Sequence, residues 1–151
     1  MSKAESDAKY YQKHRARIRR MQNTYNRKRY ASMTPLEKSA RLAQGHTHWA
    51  SYTVRLRIEA FEHYGGMECF CCGETNPLFL TLDHINNDGG EWRKRMANAA
   101  GQNQQGKRYL QGTNFYLWLH KNNYPALALQ VACYNCNLGR ARNHGVCPHV
   151  S

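Results

Sequence analysis

The chain has 151 residues, with 22 Lys and Arg against 10 Asp and Glu for a formal charge of +12, a length that suits one ordinary domain or a smaller one with an appended arm. No apolar run approaches the length of a membrane span, and the opening MSKAESDAKYYQKHRARIRR lacks the apolar stretch of a signal peptide, so a soluble protein of a reducing cytoplasm is expected. The charge is uneven: residues 1 to 45 carry 12 basic and 3 acidic side chains, whereas residues 46 to 151 carry 10 and 7, and a +9 arm calls for a polyanionic partner, of which nucleic acid is the commonest.

In chain order, AKYYQKHRARIRRMQNTYNRKRYAS contains no Gly or Pro and repeats Tyr11, Ile18, Met21 and Tyr25 at roughly helical spacing, which predicts a basic helix too poor in apolar residues to build a core. A short helix follows in MTPLEKSARLAQG, with Thr34 as cap, Pro35 in the first position, Glu37 closing a capping box and Gly45 as the stop. This places a basic helical arm at 1–45 and a domain at 46–151. SYTVRLRIEAFEHYGG reads as an amphipathic helix with Val54, Ile58, Phe61 and Tyr64 on one face, ended by Gly65 and Gly66. In LFLTLDHI, Leu78, Leu80 and Leu82 alternate with Phe79 and Thr81 as in a half-buried strand that ends at Asp83 and His84. A helix in EWRKRMANAA, a loop in GQNQQGK, a helix in TNFYLWLHKNN capped by Thr113, a strand in ALALQVA and a last helix from CNLGRARNH complete the chain.

Cys69-x-x-Cys72 and Cys133-x-x-Cys136 supply the four thiolates of a tetrahedral zinc site. Gly73 lets the first knuckle turn tightly, which favours Cys72 over Cys71 as ligand and leaves Cys71 a free thiol. Sixty residues separate the knuckles, so zinc would staple the first strand to the second. In a reducing compartment such pairs point to metal rather than disulfides. The staple would bring Asp83 and His84 close to Asn137. Asp83 and Asn137 offer hard oxygens to a separate divalent cation, and His84 is then free to act as a general base on water. His144, Cys147 and His149 also have ligand-like spacing, but a packed tail is the expected reading so near a chain end. His46 and His48, beside Trp49, read as loop and core residues.

Taken together, YGGMECFCCGE, LDHINNDGG, FYLWLHKNNYP, LQVACYNCNLGR and GVCPH resemble the HNH endonucleases with a ββα-metal active site, of the phage and intron-associated type, over roughly residues 50 to 149. The resemblance implies an α+β fold: a zinc-stapled ββα-metal domain with a helical insertion between its strands, behind the basic arm. It implies that Asp83 and Asn137 bind catalytic Mg²⁺ or Mn²⁺, that His84 activates the attacking water, that the zinc on Cys69, Cys72, Cys133 and Cys136 is structural, and that Arg140 contacts a DNA phosphate. The middle Asn of the family pattern is replaced by Ala128, which leaves the support of His84 to Asn122, Asn123 or a backbone carbonyl. The implied activity is hydrolysis of double-stranded DNA in a bacterial or phage-infected cell, one strand per active site, with no membrane and no organic cofactor involved. The competing expectation is a zinc-dependent DNA-binding module without catalysis. The arm would grip DNA through Arg15, Arg17, Arg19, Arg20, Arg27, Lys28 and Arg29, helped or replaced by Arg93, Lys94, Arg95, Lys107 and Arg108.

Overall fold

The structure, a computed structural model, describes residues 2–99 and 110–150; the predicted loop GQNQQGK, with Lys107 and Arg108, lies outside them. Helix α1 spans Lys3–Ser32. It begins on a capping box in which Ser2 Oγ accepts from the Glu5 amide while Glu5 accepts from the Ser2 amide, at 3.3 and 2.7 Å, so two otherwise orphaned donors are satisfied. Thirty residues give a helix of about 45 Å. None of its residues is buried, as its sparse apolar content requires.

Helix α2 spans Pro35–Tyr64. The box at its start is the expected one, with the Thr34 amide donating to Glu37 at 2.7 Å and the Glu37 amide to Thr34 Oγ1 at 3.3 Å. Gly45 does not stop it. Two predicted helices are one, because no Pro follows Gly45 to break the run and a helix-interior Gly costs only about 1 kcal/mol relative to Ala. His46 and His48 are consequently helical and exposed rather than loop or core residues. The chain divides into two compact units, Met1–His48 and Trp49–Ser151. The buried face of α2 is set by Leu56, Ala60 and Phe61; Val54, expected on it, is 46% exposed.

The second unit is built on strands β1, Leu80–His84, and β2, Leu129–Cys133. They pair antiparallel, with Leu80 opposite Cys133, Leu82 opposite Val131, Asp83 opposite Gln130 and His84 opposite Leu129. Leu78 falls before β1 and is exposed. Between the strands lie helices α3, Gly89–Ala99, and α4, Thr113–Lys121. Thr113 is the first helical residue of α4, not its cap, and Gly112 holds the cap position without a side-chain bond. Helix α5, Tyr134–Arg142, leaves β2 directly, and a 3-10 turn, Pro148–Val150, follows. The fold is α+β, mostly helical, with one small sheet among the described residues.

Leu56, Phe61, Leu80, Leu119 and Val131 form the centre of the core, each no more than 1% exposed; each fully buried side chain of this size contributes roughly 1.5–3 kcal/mol. The outer edge of β1 is satisfied by Tyr116, whose hydroxyl accepts from the Leu82 amide at 3.3 Å. Arg57 of α2 donates to the Pro77 and Leu80 carbonyls at 3.1 and 2.6 Å, fixing the approach to β1.

The continuity of α2 can be checked at Gly45, where an added Cβ would meet nothing within 4 Å. Gly45→Ala should therefore raise stability by about 0.5–1 kcal/mol, read by denaturant unfolding followed by circular dichroism. A loss of stability would restore the helix stop, since only a left-handed cap residue suffers from gaining a Cβ there.

Candidate metal centre and adjoining pocket

The first knuckle turns back on itself through two backbone bonds, Cys69 N–H to Glu74 at 2.8 Å and Gly73 N–H to the Cys69 carbonyl at 3.1 Å. Gly73 sits at φ 73°, a left-handed conformation that glycine adopts without strain. The second knuckle is the start of α5: Cys133 is the N-cap residue, and its Sγ accepts from the Cys136 amide at 3.3 Å. The Phe70 amide donates to the Val131 carbonyl at 2.9 Å, which joins the knuckles across the sheet end. The ligand atoms of Cys69, Cys72, Cys133 and Cys136 consequently lie within 4.8 Å of one another.

This cluster can hold a metal ion, and four thiols are the donor set of structural zinc. All six cysteines are free. At Cys69, burial opposes ionisation, but amide hydrogen bonds outweigh it and bring the thiol down to about 7. Burial, reinforced by the neighbouring thiols of Cys133, Cys72, Cys147 and Cys69, pushes Cys136 far up. Its proton leaves readily only when a cation takes its place.

Cys71 does not point away. Its Sγ lies 4.0 Å from His149 Nδ1, and it falls with Cys136, Cys147 and His149 in a second group of ligand atoms, also within 4.8 Å of one another. The tail is packed as expected, with Cys147 buried, but it is packed with its donors facing the thiols. His144 is exposed and belongs to neither group.

At the other end of the sheet, Asp83, His84 and Asn137 line one pocket of about 210 Å³ together with Asn87, Gly89 and Arg93. Pleating sends Asp83 and His84 to opposite faces. Asp83 is buried beside Gln130, whose Nε2 donates to Oδ2 at 3.0 Å, and the same oxygen accepts from Nη1 of Arg140. His84 turns its ring towards Trp92 and Phe115, at centroid distances of 5.6 and 6.0 Å. Burial, with Arg93 adding to it, holds the His84 pKa below its ordinary value, so the imidazole is neutral near pH 7. Its Nε2 is buried without a hydrogen-bond partner among the described residues. Asn122 and the Ala128 carbonyl are used elsewhere: Asn122 donates to the Trp118 carbonyl at 2.7 Å, and the Ile85 amide takes Ala128 at 2.9 Å. The ring is held by aromatic packing and by Gly89, where a Cβ would lie 2.8 Å from His84 Nδ1.

Arg140, expected on a DNA phosphate, is 8% exposed. Besides Asp83, its guanidinium donates to the Gly145 and Ile85 carbonyls at 3.0 and 2.9 Å and lies over the Phe70 ring at 5.4 Å. Its place in the fold is an internal clamp joining α5 to β1. Arg93 lines the pocket instead, and Arg95 is exposed beside Asp88 at 3.4 Å. On α1, Arg15, Arg17, Arg19, Arg20, Arg27, Lys28 and Arg29 are all exposed. No helix among the described residues is long and apolar enough to cross a membrane.

No protein-family model, no curated protein and no solved structure matches the chain. Three features of the site had escaped the sequence: the closeness of Gly89 to the imidazole, the carboxylate contact of Gln130, and the turning of Cys71 towards Cys147 and His149.

The clamp makes a measurable claim. Arg140→Ala leaves a buried carboxylate unpaired, and it should cost about 3–5 kcal/mol in chemical denaturation. A variant as stable as the original would move Arg140 back to the surface role that the spacing suggested.

Proposed function

We propose that the chain is a metal-dependent DNA endonuclease of the HNH type, hydrolysing phosphodiester bonds one strand at a time. The observation that carries this reading is the convergence of Asp83, His84 and Asn137 on one small pocket whose remaining charged wall is Arg93, on a sheet whose opposite end a thiol cluster can staple. β1 pairs with β2, which runs directly into α5, and with α3 and α4 read as an insertion between the strands this supports a ββα arrangement.

A carboxylate and an amide oxygen suit a hard divalent cation with open positions, Mg²⁺ or Mn²⁺, which when bound supplies charge stabilisation at the scissile phosphate. The protein's own part begins at His84. Because burial keeps its imidazole neutral, it can take a proton from water as the water attacks. With Nε2 enclosed, the nitrogen left for that role is Nδ1, on the Gly89 side of the ring. Arg93 lies where a phosphate entering the pocket would be neutralised. The exposed basic face of α1 supplies sequence-independent attraction to the duplex backbone.

One observation favours the second reading, a zinc-dependent DNA-binding module without catalysis: Arg140 and Gln130 already occupy Oδ2 of Asp83. The remaining oxygen, together with Asn137, must then suffice for the cation. Supercoiled plasmid incubated with Mg²⁺ or Mn²⁺ separates the two. Nicking is expected, and intact DNA binding without any metal-dependent nicking would establish the second reading.

Within the nuclease reading, His84→Ala should lower nicking by about 10²–10⁴-fold with the fold retained. Gly89→Ala, which displaces the ring without removing it, should cost about 10²-fold. A rate within a few-fold of the original for both would remove His84 from the chemistry. Deleting residues 1 to 45 should flatten the dependence of log affinity on log salt by several units, since each phosphate contact contributes about 0.9. An unchanged slope would assign DNA binding to Arg93 and its neighbours.

A further inference from the structure

Four thiols would complete one structural zinc, yet seven potential ligands gather at the same end of the sheet. Cys69, Cys72, Cys133 and Cys136 form one set, and Cys71, Cys136, Cys147 and His149 form the other. The two sets share a single atom, Cys136 Sγ. Each set has four donors, which is the number that a closed tetrahedral site takes.

The spacings within the sets can be compared with what zinc requires. Bonds of about 2.3 Å to sulfur and 2.0–2.1 Å to nitrogen imply ligand separations of about 3.8 Å between two sulfurs and about 3.5 Å between sulfur and nitrogen. Cys72 and Cys133 Sγ are 3.7 Å apart. His149 Nδ1 lies 3.3 Å from Cys136 Sγ, 3.7 Å from Cys147 Sγ and 4.0 Å from Cys71 Sγ. The sulfur–sulfur distance in the first set is within about 0.1 Å of the tetrahedral edge, and the three sulfur–nitrogen distances in the second bracket it.

The chain also builds the second set deliberately. Cys71 stands between two ligands of the first set, so the turn that aims Cys69 and Cys72 one way carries it to the other side. The tail is seated by a close approach on α5: a Cβ at Gly139 would lie 2.8 Å from Pro148 Cδ. The absence of a side chain at Gly139 thus admits Pro148, with Cys147 and His149 on either side of it. Further bonds fold the tail back, the Gly145 amide onto the Arg140 carbonyl at 2.9 Å and the Asn143 side-chain amide onto the Val146 carbonyl at 3.2 Å. Cys147 is 2% exposed and Cys136 fully buried.

We propose that the protein holds two zinc ions in a binuclear cluster, with the Cys136 thiolate bridging them. Cys69, Cys72 and Cys133 complete the first ion, and Cys71, Cys147 and His149 the second. A thiolate sulfur retains lone pairs for two metals, so sharing it lets seven residues give both ions four ligands. Six thiolates against two divalent cations leave a net charge of −2. The amide of Cys136, in the first turn of α5, is directed at this charge through Cys133 Sγ. The cluster is independent of the nuclease reading, and its test reads metal rather than cleavage.

The full chain, purified in zinc-containing buffer, should carry two zinc ions by elemental analysis and native mass spectrometry. Cys71→Ser, Cys147→Ser and His149→Ala should each lower the count from two to one while far-ultraviolet circular dichroism stays unchanged. Should these variants fail to fold, the unaltered protein decides the matter after exchange into cadmium. Cadmium NMR should then give two resonances, with the β protons of Cys136 coupled to both. One zinc per chain at saturating metal, or a Cys136 coupled to a single cadmium, would overturn the bridge.

Discussion

The arrangement of the Trp49–Ser151 unit depends on the crowding of thiol sulfurs at one end of a two-stranded sheet. A pair of five-residue strands is too small to be stable alone, and here the pair also carries the load of a long helical insertion between its members. Burial, reinforced by the neighbouring thiols, makes ionisation of the central one, Cys136, unfavourable, so a cation held there has to displace that proton. The cluster adjoins the start of α5, because Cys133 is at once the last residue of β2 and the cap of that helix. The direction of α5 in turn decides where Asn137 and Arg140 lie.

From that fixed point the helix acts as a lever. Asn137 and Arg140 are three positions apart, on one face, and that face meets β1. Arg140 enters the interior and satisfies three acceptors, while Asn137 stays half-buried on the pocket wall. The ion pair with Asp83 therefore does more for position than for net stability, since burying two charges offsets much of their attraction. It holds the carboxylate in one orientation, with both described contacts on the same oxygen.

Much of this was legible in the sequence. The alternation of Leu78, Leu80 and Leu82 with Phe79 and Thr81 announced β1, though Leu78 and Phe79 fall before it, and the two cysteine pairs announced the cluster, because metal-ligand spacing is a local property. What escaped depended on distant partners. Gly45 carries a stop signal, but a Gly inside a helix costs only about 1 kcal/mol and the helix on both sides of it overrides it. The spacing from Asn137 places Arg140 on a helix face without saying what that face meets. Gly89 is one of two adjacent glycines that open α3, and only the imidazole five residues earlier makes it necessary. Cys71 was set aside because Gly73 favours Cys72 as the second ligand of the knuckle, a reading of one knuckle that takes no account of a tail arriving beside it from the far end of the chain.

The pairing of Asp83 with Gln130 and of His84 with Leu129 carries one more consequence. Consecutive strand residues face opposite ways, so the assignment of carboxylate to the α5 side and imidazole to the aromatic side is a matter of odd and even. Sliding β1 by one residue against β2 would send Asp83 among Trp92 and Phe115 and leave His84 facing Arg140, with every backbone bond of the ladder remade. Such a chain would keep its composition, its cysteines and nearly all its secondary structure. The placement of carboxylate and imidazole is therefore encoded as a parity of the strand.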